Sequence, residues 1–127
     1  MRSLKVLVAD DNPINQKHMV ALLKAQGHTG VVVNDGDKAL RCLAQLRFDL
    51  VLMDVQMPVL DGLQALAQIR AREQAGQPRV PVILVTANDW PGDRLRYARM
   101  GADGCLIKPV DPAALQQEMQ RVLGAAL

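Results

Sequence analysis

Leu4-Lys5-Val6-Leu7-Val8-Ala9 is an apolar run closed by two adjacent aspartates, Asp10 and Asp11. A second run, Leu50-Val51-Leu52-Met53, is closed by Asp54. Both have the length and bulk of a strand buried on both faces, and such strands belong to parallel sheets covered by helices. Carboxylates at strand exits gather at one rim of the sheet, where open α/β folds place their sites. Three acids at one rim repel one another and call for a cation.

The rest of the chain alternates in the same way. Strands are predicted at Lys5–Ala9, Val31–Val33, Leu50–Asp54, Val82–Thr86 and Gly104–Ile107. Helices are predicted from about Pro13 to Gln26, Asp37 to Leu46, Gly62 to Arg72 and Gly92 to Met100, with a last helix opening at Pro112 behind an Asp111 cap. The expected inward residues are Met19, Leu22 and Leu23 in the first helix, and Leu40, Leu43 and Ala44 in the second. Leu63, Leu66, Ala67 and Ile69 serve the third, Leu95 and Ala98 the fourth, and Leu115, Met119, Val122 and Leu123 the fifth. Residues 73–81, with Gly76, Pro78 and Pro81, form a loop. This (βα)5 alternation predicts an α/β, doubly wound, flavodoxin-like parallel sheet of order 2-1-3-4-5. With 127 residues the chain reads as a single domain, residues 1–127, with its core in 4–123.

Composition narrows the function. Fifteen basic and 13 acidic residues leave a net charge of +2, too even for nucleic acid or an anionic membrane to be the main partner. No apolar run approaches the ~20 residues of a membrane span, and no signal-peptide h-region precedes the first strand. Single Phe, Trp and Tyr residues make the core aliphatic. Cys42 and Cys105 lack C-x-x-C spacing and read as buried, reduced thiols of a cytoplasmic protein.

In the order 2-1-3-4-5, strand order reverses between strands 1 and 3, whose exits carry Asp10, Asp11 and Asp54. Thr86 ends strand 4 and Lys108 follows strand 5 at the same rim. An oxygen-rich, histidine-free, anionic pocket suits a hard divalent ion such as Mg²⁺ and does not suit zinc. A cation, a lysine and a hydroxyl together would bind the oxygens of a phosphoryl group, and one carboxylate could take that group as a nucleophile.

The stretches Val8-Ala9-Asp10-Asp11-Asn12, Leu52-Met53-Asp54-Val55-Gln56-Met57-Pro58-Val59-Leu60-Asp61-Gly62, Val85-Thr86-Ala87-Asn88 and Gly101-Ala102-Asp103 running to Lys108-Pro109 resemble the receiver domain of two-component response regulators. The resemblance covers residues 4–123. The phrases Asp-Asn-Pro-Ile-Asn and Asp-Val-Gln-Met-Pro are closest to receivers of hybrid sensor kinases. The resemblance implies a signalling phosphoacceptor rather than an enzyme in the usual sense. Asp54 would accept the phosphoryl group. Asp10, Asp11 and Asp54 would hold Mg²⁺ (or Mn²⁺), with Asp11 binding directly, Asp10 through water, and Gln56 through its backbone carbonyl. Thr86 and Lys108 would bond phosphoryl oxygens, while Gln56 and Asn88 would tune dephosphorylation. The implied partner is a histidine kinase or a histidine phosphotransfer protein, with a kinase core or other domains possible in the same full-length chain. The Lys108-Pro109 bond would be cis, a state that X-Pro bonds adopt only about 5–6% of the time.

One position departs from the family. Three residues before the strand-5 lysine it usually carries an aromatic ring that changes rotamer with the threonine; here this switch position is Cys105. Rearrangement of the segment from Ala87 to Gly92, which carries Trp90, is expected to take over part of that role. A haloacid-dehalogenase-type phosphatase would need Asp-x-Asp after strand 1, and an FMN carrier would need a Ser/Thr/Gly-rich loop there. A degenerate receiver acting as a constitutive binding module is argued against by the five site residues. Arg94, Arg96 and Arg99 read as a solvated face, Gly62 as a backbone requirement, and His18 and His28 receive no role.

Overall fold

The computed structural model describes residues 3–88 and 90–124. Its elements are β1 (Lys5–Ala9), α1 (Pro13–Ala25), β2 (Thr29–Val33), α2 (Gly36–Gln45), β3 (Leu50–Asp54), α3 (Gly62–Gln74), β4 (Val82–Thr86), α4 (Asp93–Arg99), β5 (Gly104–Ile107) and α5 (Pro112–Leu123). Every strand pair is parallel, and the sheet order is β2-β1-β3-β4-β5. The expected class and order are therefore found. β2 starts two residues earlier than expected, at Thr29 rather than Val31, because its pairing with β1 continues to Lys5.

Side chains alternate across the sheet, and β1, β3, β4 and β5 each feed two cores. Val6, Val8, Leu50, Leu52, Ile83, Val85 and Leu106 pack under α1 and α5 with Leu23, Leu115 and Met119. Leu7, Val51, Met53, Val82, Leu84 and Cys105 pack on the other face with Leu40, Leu66, Ile69 and Tyr97. β1, β3 and β4 are central and nearly fully buried, whereas the edge strand β2 is not.

Helix starts follow local chemistry. Asn12 caps α1 by accepting from the amides of Ile14 and Asn15, with Pro13 at the first position. Asp35 caps α2, Asp61 forms a capping box with Gln64 on α3, and Asp111 caps α5. α4 has no side-chain cap and opens on Gly92 at φ +86°.

The inward face of α4 differs from expectation, and α2 and α3 each differ at one alanine. On α4, Leu95 is 58% exposed and Ala98 is also outward, while Tyr97 is buried. A helix of about two turns can turn toward the sheet whichever side chain removes most apolar area, and a ring removes more than a leucine. On α2, Ala39 and Leu40 are buried and Ala44 is exposed; on α3, Ala65 is buried and Ala67 exposed. Cys105 is buried as expected, but Cys42 is only half-buried.

His28 has a structural job. Its Nδ1 accepts the amide of Leu4 at 3.0 Å. Burial lowers its pKa, opposed by the carboxylate of Asp49, which itself accepts the amide of Lys5. At the rim opposite the aspartates, Arg70 donates to Glu73, Asp103 and the carbonyls of Val80 and Gly101, joining α3 to the segments that enter β4 and β5.

Candidate functional site

Ala9 lies level with Met53 in the β1–β3 ladder, so Asp10 and Asp54 leave neighbouring strands at one height. Thr86 lies level with Ile107, and Lys108 follows. Carboxylate oxygens of Asp10, Asp11 and Asp54 all fall within 4.8 Å of one another. Asp10 and Asp54 are buried and Asp11 is exposed at the mouth. The three donors are all oxygen, as a hard divalent cation requires.

Lys108 reaches into this cluster. Its Nζ lies 2.8 Å from Asp54 Oδ2 and 3.2 Å from Asp10 Oδ2. Burial lifts the Asp54 carboxyl above its ordinary pKa, and the nearby charge of Asp10 adds to the lift. Lys108 and the amide of Gln56, which donates to Asp54 Oδ1 at 3.1 Å, pull the other way without reversing it. For Lys108, burial pulls the ammonium down, but the carboxylates of Asp54 and Asp10 outweigh it and its pKa rises. Each ion thus depends on the other, while the third carboxylate leaves the site short of positive charge.

The remaining expected residues lie around the same cleft. Its lining includes Asp11, Asn12, Asn15, Asp54, Gln56, Met57, Pro58, Ala87 and Lys108. Thr86 is buried, its Oγ1 accepting the amide of Asn88 at 3.2 Å and its carbonyl the amide of Lys108 at 2.8 Å. Gln56 and Asn88 are exposed at the rim. The Lys108-Pro109 peptide is cis. Cys105 lies apart, on the sheet face under α4, in a cleft shared with Tyr97 and Glu118. An aromatic ring therefore does stand near position 105, contributed by α4 rather than by β5. Of the segment from Ala87 to Gly92, Asp89 lies outside the described residues; Trp90 is 66% exposed.

Several supporting contacts come from outside the expected site residues. The amide of Asn12 donates to Asp10 Oδ1 at 2.9 Å, and Gln16 Nε2 donates to the carbonyl of Asp10 at 2.5 Å. Both orient Asp10 from α1; the Asn-Pro helix start was the sequence signal for the first, and nothing local announced the second. His18 Nε2 stands 2.7 Å from the carbonyl of Val110, so that nitrogen carries the hydrogen and α1 is tied to the loop after Pro109.

Gly62, at the start of α3, meets its expectation as a backbone requirement. A Cβ there would stand 2.1 Å from the carbonyl oxygen of Asp54. In an open helix, glycine to alanine gains about 1 kcal/mol. Here Gly62→Ala is expected to lose at least about 1–3 kcal/mol by overpacking, read from urea unfolding. A stabilised Gly62→Ala protein would contradict the close approach.

The profile of the response regulator receiver domain matches residues 6–120. The chain belongs to the response regulator receiver family. Over 127 residues this receiver is 39% identical to the sensor protein GacS of Pseudomonas syringae pv. syringae, covering 99% of the receiver and 14% of that protein. It is 39% identical to the sensor histidine kinase RcsC of Salmonella typhi, covering 91% of the receiver and 12% of the kinase. Protein PilH of Pseudomonas aeruginosa is 34% identical and is matched over 97% of its length, with 94% of the receiver covered. The chain thus spans a small part of the hybrid kinases and nearly all of the small protein.

Among solved structures, the receiver domain of a sensor histidine kinase from Pseudomonas aeruginosa PAO1 superposes with a TM-score of 0.85 at 40% identity. The match covers 98% of this receiver and 100% of that chain, and that structure carries a magnesium ion in its active site cleft. The chemotaxis response regulator CheY4 of Vibrio cholerae superposes with a TM-score of 0.84 at 30% identity, covering 96% and 100%. Kinship with receivers of hybrid sensor kinases, expected from the sequence, is found. The family serves two-component signalling. No described helix is long and apolar enough to cross a membrane.

Proposed function

We propose that this receiver takes a phosphoryl group onto Asp54 from a phosphohistidine in a Mg²⁺-dependent reaction. The observation that carries the reading is the meeting of Asp10, Asp11, Asp54 and Lys108 in one cleft. Asp10, Asp11, Asp54 and the carbonyl of Gln56 would hold the ion, which when bound supplies positive charge to the transferring phosphoryl oxygens. The all-oxygen donor set fits Mg²⁺ and accepts Mn²⁺.

The chain's own groups do the rest. An Asp54 carboxylate oxygen attacks phosphorus, the P–N bond breaks, and imidazole leaves with the electron pair and takes a proton from solvent. Lys108, already on Asp54, neutralises charge on a phosphoryl oxygen, and Thr86 Oγ1 donates to another. Thr86 Oγ1 also accepts the amide of Asn88, so any move of its side chain toward the phosphoryl group would disturb the chain ahead of Trp90. That supports the segment from Ala87 to Gly92 as a reporter of the state, with Tyr97 backing Cys105 beneath it. A histidine kinase or histidine phosphotransfer protein is the proposed donor, in the same chain or another, acting in the cytoplasm.

The test is intact-mass spectrometry after incubation with acetyl phosphate. One phosphoryl is expected per chain with Mg²⁺ and none with EDTA. Because the metal-free Asp54 carboxyl holds its proton more tightly than an ordinary one, protons should begin to compete with Mg²⁺ for it while the pH is still above 3.8. Metal-independent uptake would overturn the reading.

A further inference from the structure

The loop between β3 and α3 contains a strained residue. Val59 has φ +66°, a region that a β-branched residue rarely enters. The amide of Leu60 donates to the carbonyl of Pro58 at 2.7 Å. Residue 59 is therefore the apex of a three-residue γ-turn, and a positive φ marks the rare, strained form of that turn. The Val59 side chain is 82% exposed, so burial does not hold it there. Strain of this kind persists only where the surroundings over-determine it.

Two glycines supply that constraint. At one end the amide of Gly62 donates to the carbonyl of Val55 at 2.9 Å. At the other, the amide of Gly36, the first residue of α2, donates to the carbonyl of Leu60 at 3.0 Å. A Cβ on Gly36 would stand 2.3 Å from that same oxygen, so only glycine permits the approach. The segment from Gln56 to Leu60 is held between these points, with its first amide fastened to Asp54. Met57 and Pro58, within it, line the acidic cleft.

We propose that Gly36 is a positioning residue for the metal site: through Leu60 and the strained turn at Val59, it holds the backbone carbonyl of Gln56 in place for the cation. The inference rests on the reading above, in which that carbonyl is a ligand. It explains why the turn keeps a valine in a conformation that glycine or asparagine would adopt freely. The strain is the consequence of pulling the loop onto α2, and the gain is a carbonyl whose orientation costs little further entropy on binding.

The test is a Mg²⁺ titration of the metal-free receiver followed by amide NMR shifts, alongside thermal melts without metal. Val59→Gly frees the turn while relieving its strain. It is expected to weaken Mg²⁺ binding at least threefold without lowering the melting temperature, since strain relief offsets the freedom glycine adds to the unfolded chain. Gly36→Ala is expected to weaken binding at least tenfold; should it fail to fold, Val59→Gly decides. Wild-type affinity in Val59→Gly overturns the proposal, as does weaker binding accompanied by a lower melting temperature, the mark of a merely structural role. Failure of wild-type receiver to bind Mg²⁺ would instead strike the reading of the metal site itself, before any variant is made.

Discussion

Asp54→Asn is expected to remove phosphoryl uptake altogether: after acetyl phosphate and Mg²⁺, its intact mass should equal that of the untreated protein. The amide keeps the shape of the side chain and loses the anionic oxygen that attacks phosphorus. Lys108 loses one partner but keeps Asp10 at 3.2 Å, so the ammonium is not stranded and the variant should fold. Burial supports the same expectation. Removing a desolvated carboxylate whose proton affinity is already raised relieves repulsion with Asp10, and stability should not fall. Phosphorylation persisting in Asp54→Asn would place the acceptor elsewhere.

Lys108→Met is expected to slow uptake from acetyl phosphate by about 10²–10³-fold, the scale of losing one preorganised charge partner. Its effect on the metal should run the other way. The ammonium competes with a cation for Asp54 and Asp10, so Mg²⁺ affinity should hold or rise as the rate collapses. A quench-flow mass measurement and a Mg²⁺ titration read the two quantities separately. Equal falls in both would mean that Lys108 only organises the site.

The sign of the pH effect in metal-free protein follows from the same charges. Asp54 binds its proton more tightly folded than unfolded. Its stabilising contribution is therefore present below pH 3.8 and lost as pH rises through its raised folded pKa. Lys108 also has a raised pKa, and its contribution persists below 10.5 and is lost above it. Between these limits the cleft carries more negative charge than Lys108 offsets, and bound Mg²⁺ would relieve the excess.

Much of the site was legible because its residues close strands. Asp10, Asp54 and Thr86 are each the last or next residue of an apolar run, and in a parallel sheet that fixes rim and height together. Lys108 could be placed at the rim for the same reason. That its Nζ bridges Asp54 and Asp10 could not be foreseen, since a flexible four-carbon stem has many reachable ends. The leucine faces expected on α2 and α3 are found, only Ala44 and Ala67 lying outside them, whereas on α4 Leu95 and Ala98 face outward. Periodicity cannot rank Leu95 against Tyr97 on a helix of about two turns.

Sequence alone determined the α/β alternation, the strand order by analogy of size and pattern, and the rim where the acids meet. Those features follow from hydrophobic period and chain punctuation, which are local. Tertiary structure alone decided that Gly36 and Gly62 are demanded by carbonyls of Leu60 and Asp54, that Val59 is strained, and that Tyr97 stands near Cys105. Each is a contact between segments distant in sequence or a backbone angle imposed from outside the segment. No local pattern encodes which atom another element will bring within 3 Å.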